Sequence, residues 1–192
     1  MLHPSLAAGA QRVGTTTENV WRRVDLAERR LCLSVNRGCH RAGIRGFFAA
    51  VSRLGDGPIW YVLVIVLAVA GGPDGAMAAL QMTVGGVLGI AIYKFLKQRL
   101  VRERPFVSHD DILCGTAPLD RYSFPSGHTL HAVNFTALAL TQVPELGLLL
   151  VPFAALVAAS RVVLGLHYPT DVVAGAAIGA LLATGVLEFW PG

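Results

Sequence analysis

Three short polar stretches of this 192-residue chain hold residue types that do chemistry: KQRLVRERP (97–105), SFPSGHT (123–129) and SRVVLGLHYPTD (160–171). In the first, Lys97 and Arg104 are two helical turns apart and share a face if the helix continues. An ammonium and a guanidinium are the two side chains suited to phosphate, one as a point charge and one as a fork. Taken alone, basic residues at the end of an apolar segment usually snorkel or signal topology. In the second, Pro125 suits a first helical turn, and Ser126 and Gly127 then present backbone N–H groups at the positive end of that helix, where anions bind. His128 follows as a group able to give or take a proton. The bland alternative is a Pro-Ser-Gly turn with a satisfied histidine. His131, one turn on, reads as structural, because no third ligand stands at a metal-like spacing.

In the third stretch Arg161 ends an apolar run, and His167 and Asp171 are four residues apart. That spacing lets a carboxylate hold one imidazole nitrogen and raise the basicity of the other. The alternative is a buried ion pair joining two helix ends. Together the stretches make an anion cradle beside two histidines. A tetrahedral oxyanion fits it, and phosphoryl transfer requires mostly positioning and charge stabilisation.

The elements that must position these residues are apolar. The chain is 54% hydrophobic and only 15% charged, with mean hydropathy +0.56. Candidate spans of suitable length are Gly57–Pro73, Gly75–Tyr93, Tyr122–Pro144, Leu146–Leu166 and Val172–Leu187. Five successive runs with almost no polar face exclude an ordinary soluble domain. Trp60, Tyr61, Phe189 and Trp190 fall at span ends, as in aromatic belts. Gly85, Gly86, Gly89 and the Gly175/Gly179 pair permit close helix approach, read here as packing within one protomer.

Residues 1–56 differ: nine arginines stand against Glu18, Asp25, Glu28 and Asp56. Val20, Val24, Ala27, Leu31 and Val35 recur at helical steps, the pattern of an interfacial amphipathic helix. Ile44–Leu54 is too short to span. The first forty residues contain no continuous apolar signal-peptide core. Cys32, Cys39 and Cys114 have no metal-type spacing and are expected as free thiols. With five spans, all sixteen Lys and Arg fall on the side that carries the polar stretches. The expected architecture is an all-α polytopic membrane bundle: a basic interfacial segment over 1–56 and a transmembrane domain over 57–192.

The three stretches resemble the signature of the type 2 phosphatidic acid phosphatase (PAP2) family, which shares its site with vanadium haloperoxidases: K-x6-RP, PSGH and SR-x5-H-x3-D. Every signature residue is present, in order and correctly spaced, over residues 97–171. The resemblance implies His167 as nucleophile forming a phosphohistidine, Asp171 orienting it and His128 protonating the leaving group. It implies Lys97, Arg104, Ser126, Gly127 and Arg161 as phosphate-binding residues, with no metal and no cofactor. Many membrane members have six spans where five are counted here. The implied substrate is a lipid phosphate or diphosphate in the bilayer, of phosphatidic acid, phosphatidylglycerophosphate or polyprenyl diphosphate type, with no nucleic acid partner. The sequence sets no oligomeric state. A lipid-to-lipid phosphotransferase using the same site is the nearest rival, and a non-catalytic membrane scaffold the rival of a different class. A haloperoxidase is disfavoured because such members resemble soluble proteins. The expected location is a bacterial inner membrane, with the site on the cytoplasmic face because the arginine-rich segment shares its side.

Overall fold

The computed structural model describes residues 23–190. Its elements are helical: α1 (residues 23–36), α2 (Ala42–Gly55), α3 (Pro58–Ala70), α4 (Gly72–Arg99), the short α5 (Pro105–Ser108), α6 (Gly127–Gln142), α7 (Gly147–Val163) and α8 (Pro169–Phe189). Proline marks several starts. Pro58, Pro73, Pro105 and Pro169 sit in first turns, where the missing N–H costs nothing.

α6 stands at the centre, packed against α4, α7 and α8. Its neighbours approach it through glycine. A Cβ on Gly175 would lie 2.5 Å from the Ser126 carbonyl oxygen, and one on Gly179 would lie 2.4 Å from that of Leu130. The GxxxG of α8 therefore seats directly on the α6 backbone. On α4, added Cβ atoms at Gly85, Gly86 and Gly89 would meet Asn134, Phe135 and His131. The main core gathers Trp60, Met82, Leu138 and Val157 around α6. Large apolar side chains cover the outside, including Ile65, Val69, Leu148, Leu181 and Phe189. This outward apolar surface belongs to a protein whose solvent is lipid.

The five expected spans map onto α3, α4, α6, α7 and α8. Three helices are long and apolar enough to cross a membrane alone: α4, α8 and α7 counted from Pro144. α2 and α3 meet end to end with a 44° bend and together form a fourth, broken candidate. The stretch expected over 122–144 yields only the 16 residues of α6, about 24 Å at 1.5 Å per residue. Its first residues are spent on the loop that leads to Ser126, and Pro144 stops it. Trp60 also departs from expectation. It is 1% exposed, packed against Phe135 and Phe153, and belongs to the core rather than an aromatic belt.

α1 differs too. Val20 lies outside the described residues. Of the expected stripe, Ala27 and Leu31 are exposed, while the face against the protein carries Glu28, Cys32 and Asn36. Polar bonds hold that face down. Asn36 Nδ2 donates to the Leu113 and Val163 carbonyls, and its Oδ1 accepts from the Leu113 N–H. Cys39 Sγ lies 3.0 Å from the Val163 carbonyl oxygen. An apolar periodicity could not reveal this, because the contacts are side chain to backbone. The three cysteines are free, with Cys114 exposed.

Candidate active site

The end of α4, the start of α6 and the α7–α8 connection converge on one cavity of about 600 Å³. Lys97, Arg104, Gly127, His128, Arg161 and His167 line its polar end. Ser126 and Asp171 do not reach it. The Ser126 N–H donates to the Asp171 carbonyl, and its hydroxyl lies 3.0 Å from that of Thr129. Ser126 thus ties α6 to α8 behind the cavity, and Gly127 and His128 are the residues of that helix start on the cavity wall.

His167 is held by a turn that needs glycine. Gly165 has φ +72°, and a Cβ there would meet the Leu113 carbonyl oxygen at 2.7 Å. The His167 N–H is bonded to the Arg161 carbonyl, so the imidazole points back across the end of α7. Its Nε2 lies 3.3 Å from Arg104 Nη1. Its Nδ1 lies 3.7 Å from Asp171 Oδ2, an adjacent contact longer than a hydrogen bond. The Asp171 carboxylate is engaged elsewhere: Oδ2 accepts from the Tyr168 N–H at 2.8 Å and Oδ1 from Arg102 at 2.7 Å. Complete burial beside Arg161, Arg104 and Lys97 holds the His167 imidazole well below the usual histidine range. It is therefore neutral, with a lone pair available.

Arg104 is 2% exposed and is fixed by the Leu166 carbonyl and by Asp120. Arg161 donates to the Ser52 hydroxyl of α2, and its Nε has no protein partner. His131 also reaches the cavity wall, its Nδ1 2.9 Å from the Gly127 carbonyl oxygen. Among the described residues no group of three or more His, Cys, Asp or Glu is placed to hold a metal ion.

Asp56, Arg102 and Glu28, which sequence reasoning did not place here, are part of the arrangement, as is Asp120 of the loop over 106–121. Asp56 sits at the α2–α3 break, its Oδ1 3.2 Å from His128 Nε2. Gly57, with φ +148°, permits the break that aims it there. The local signal was Gly55-Asp56-Gly57-Pro58, an acid between helix breakers beside an apolar run. Arg102 stacks on the Tyr168 ring at 4.0 Å and bridges Asp171 to Glu28. Glu28 in turn accepts from the Thr170 N–H and hydroxyl. No spacing rule links positions 28, 102 and 171. Asp120 contacts Lys97 and Arg104.

The rest of the cavity wall is apolar. Trp60, Val64 and Ile65 of α3 face Val87 and Ile90 of α4 across it. These helices join at Gly71–Gly72, pack against each other, and both line the cavity.

Residues 78–191 match the family model of the PAP2 superfamily. The chain belongs to the PAP2 superfamily. The decaprenylphosphoryl-5-phosphoribose phosphatase of Mycolicibacterium smegmatis is 36% identical over 140 residues, 70% of this chain and 73% of that protein. The undecaprenyl-diphosphatase of Sulfolobus acidocaldarius is 28% identical over 144 residues, 74% of this chain and 68% of that protein. Among solved structures, Aquifex aeolicus LpxE superposes with TM-score 0.68 at 27% identity, covering 83% of this chain and 93% of that one. The Bacillus subtilis PAP2-type phosphatidylglycerolphosphate phosphatase shares the fold, with TM-score 0.65 at 22% identity over 87% and 86% of the two chains. This PAP2 chain is an integral membrane protein and a phosphatase of the PAP2 type.

Proposed function

We propose that this PAP2 phosphatase hydrolyses a lipid phosphate or diphosphate through a phosphohistidine on His167. The observation that carries the reading is the two-part cavity: cations and histidines at one end, apolar α3 and α4 side chains at the other. A phosphorylated headgroup fits the first part and an acyl or prenyl chain the second.

In this mechanism Lys97, Arg104, Arg161 and the Gly127 N–H hold the phosphoryl oxygens, and Ser126 fixes the helix start behind them. His167 Nε2 attacks phosphorus. A phosphorus–nitrogen bond forms, the ester or anhydride phosphorus–oxygen bond breaks, and His128 gives the leaving oxygen its proton. Asp171 stands behind Nδ1 and favours the cationic ring. A water then attacks the phosphohistidine, His128 takes its proton, and inorganic phosphate leaves. Residues 57–192 are assigned as the phosphatase domain, with 1–56 as the segment that lies along the interface.

The test is phosphate release by the purified protein in detergent across phosphatidic acid, phosphatidylglycerophosphate and polyprenyl diphosphates. Release without any acceptor lipid supports hydrolysis; release only when an acceptor lipid is added supports phosphotransfer. Activity retained in EDTA and lost to vanadate is expected, and loss in EDTA restored by a divalent ion overturns the metal-free route.

We further assign the site to the cytoplasmic face of a bacterial inner membrane. Short arginine-rich segments stay cytoplasmic. α1 is bonded to the site-side connections through Glu28 and Asn36, and α2 starts beside Val163 and ends at Asp56 against His128, so both its ends lie on the site side. Cys114 is an exposed thiol on the site side, while Cys32 and Cys39 are fully buried. With those two replaced by serine, a membrane-impermeant thiol reagent leaves Cys114 unlabelled in intact cells. Labelling without breaking the membrane reverses the orientation.

A further inference from the structure

Two of the three cradle cations are already satisfied by an acid of the same chain. Lys97 Nζ donates to Asp120 Oδ1 at 2.6 Å and to the Tyr122 carbonyl at 2.9 Å. Arg104 Nη2 donates to the same Oδ1 at 2.8 Å, and Arg104 Nε to the Asp120 carbonyl at 3.1 Å. Arg104 Nη1 is engaged by the Leu166 carbonyl and faces His167 Nε2. An ammonium has three N–H donors and a guanidinium five. Most of those that point toward the nucleophile are therefore occupied.

One carboxylate oxygen thus sits between Lys97 and Arg104, where a phosphoryl oxygen in reach of His167 must sit. The acid is not locked in place as the cations are. The Asp120 side chain is 37% exposed, against 10% for Lys97 and 2% for Arg104. It lies in the irregular connection between α5 and α6 and on the cavity wall.

We propose that Asp120 is a specificity-determining residue, its carboxylate holding a phosphoryl-oxygen position until a ligand carrying more negative charge displaces it. A dianionic phosphomonoester or a diphosphate offers the two cations more charge than Asp120 does. A monoanionic phosphodiester offers no more and stays out. Membranes are rich in phosphodiester headgroups, so an internal carboxylate keeps the cradle from filling with bulk lipid. The inference rests on the phosphatase reading of the site and adds the charge state of the group it accepts.

The test uses the full chain in detergent and two probes: inorganic phosphate in mildly alkaline buffer, where it is a dianion, and dimethyl phosphate, a monoanion. Binding is read by calorimetry for the wild type, Asp120→Asn, Asp120→Ala and the loop control Asp111→Asn. Asp120→Ala is expected to bind inorganic phosphate about tenfold tighter, the size of one charge-assisted hydrogen bond. Dimethyl phosphate is expected to bind the two Asp120 variants and not the wild type or the control. Unchanged or weaker phosphate binding in both variants overturns the proposal, since Asp120 then organises the cradle instead of competing for it. Loss of cooperative thermal unfolding in both variants overturns it equally. Lipid-phosphate turnover by the wild type, measured in parallel, separates the two readings. Tighter binding in the variants with no turnover removes the substrate reading alone. Normal turnover with unchanged binding removes only the Asp120 proposal.

Discussion

The part of the molecule from α4 to α8 and the quarter from α1 to α3 build the same site by different routes. The first supplies it through fixed spacings: Lys97 at the end of α4 and Arg104 just beyond it, Gly127 and His128 at one helix start, Arg161 and His167 around one turn with Asp171 behind them. The second supplies single acids from distant positions. Glu28 accepts from Arg102 and Thr170, and Asp56 faces His128. Local geometry fixes residues a few positions apart, whereas an acid dozens of positions away arrives only through the tertiary path of the chain.

The sharpest break comes from His167→Ala. Removing the attacking nitrogen is expected to lower turnover by more than about a thousandfold with the protein still folded. Phosphate release on each substrate checks it, and substantial residual activity ends the nucleophile assignment. The same residue gives a pH signature. Its folded value is pushed below the ordinary 6.5 by burial, then by Arg161, Arg104 and Lys97. The acid limb of kcat/KM is therefore expected below pH 6.5. As pH falls through that value the unfolded chain gains a proton that folded His167 refuses, so stability falls. A wild-type stability profile as flat as that of His167→Ala there contradicts the assignment.

Glu28→Ala asks whether the N-terminal quarter matters to the fold. It strips a buried acceptor from the Thr170 N–H and a charge partner from Arg102. A loss of about 2 kcal/mol is expected, seen as a lower melting temperature in detergent. No change would make α1 an ornament.

Asp56→Asn asks whether that quarter matters to the chemistry. The Asp56 carboxylate lies 3.2 Å from His128 Nε2 and orients the ring that donates. Turnover of an alkyl phosphate is expected to fall about tenfold, less than the roughly hundredfold or more of losing the acid itself, and that of p-nitrophenyl phosphate much less. Equal losses on both would mark Asp56 as structural. The smallest effect belongs to Arg29→Ala. The Arg29–Asp111 pair is 44% and 47% exposed, and such pairs contribute at most about 1 kcal/mol. A larger drop in melting temperature than for Glu28→Ala would invert the comparison.

How far the sequence reached follows the same division. Helices α4, α7 and α8 were legible because an unbroken apolar run in this length range has few other uses. α6 was overestimated because its apolar count includes the loop residues before Ser126, which build the site. The inward face of α1 was missed because its partners are backbone groups at Leu113, Val163 and Thr170 and the distant side chains of Arg102 and Thr170, which no local pattern links to it. Six of the eight site residues named from spacing line the cavity. Ser126 and Asp171 stand one layer back, a distinction spacing cannot make. The engagement of Lys97 and Arg104 by Asp120 was equally hidden, because the irregular connection between α5 and α6 carries no periodicity.

The apolar wall that α3 and α4 give the cavity, with Ile65 and Val87, sets the dimensionality of catalysis once the substrate is a lipid. A lipid that stays in the film never passes through bulk water. Its encounter rate then follows its mole fraction in the surrounding film, and the volume of the solution drops out. Adding inert detergent at fixed substrate slows such an enzyme by dilution in two dimensions, although nothing in the aqueous phase has changed.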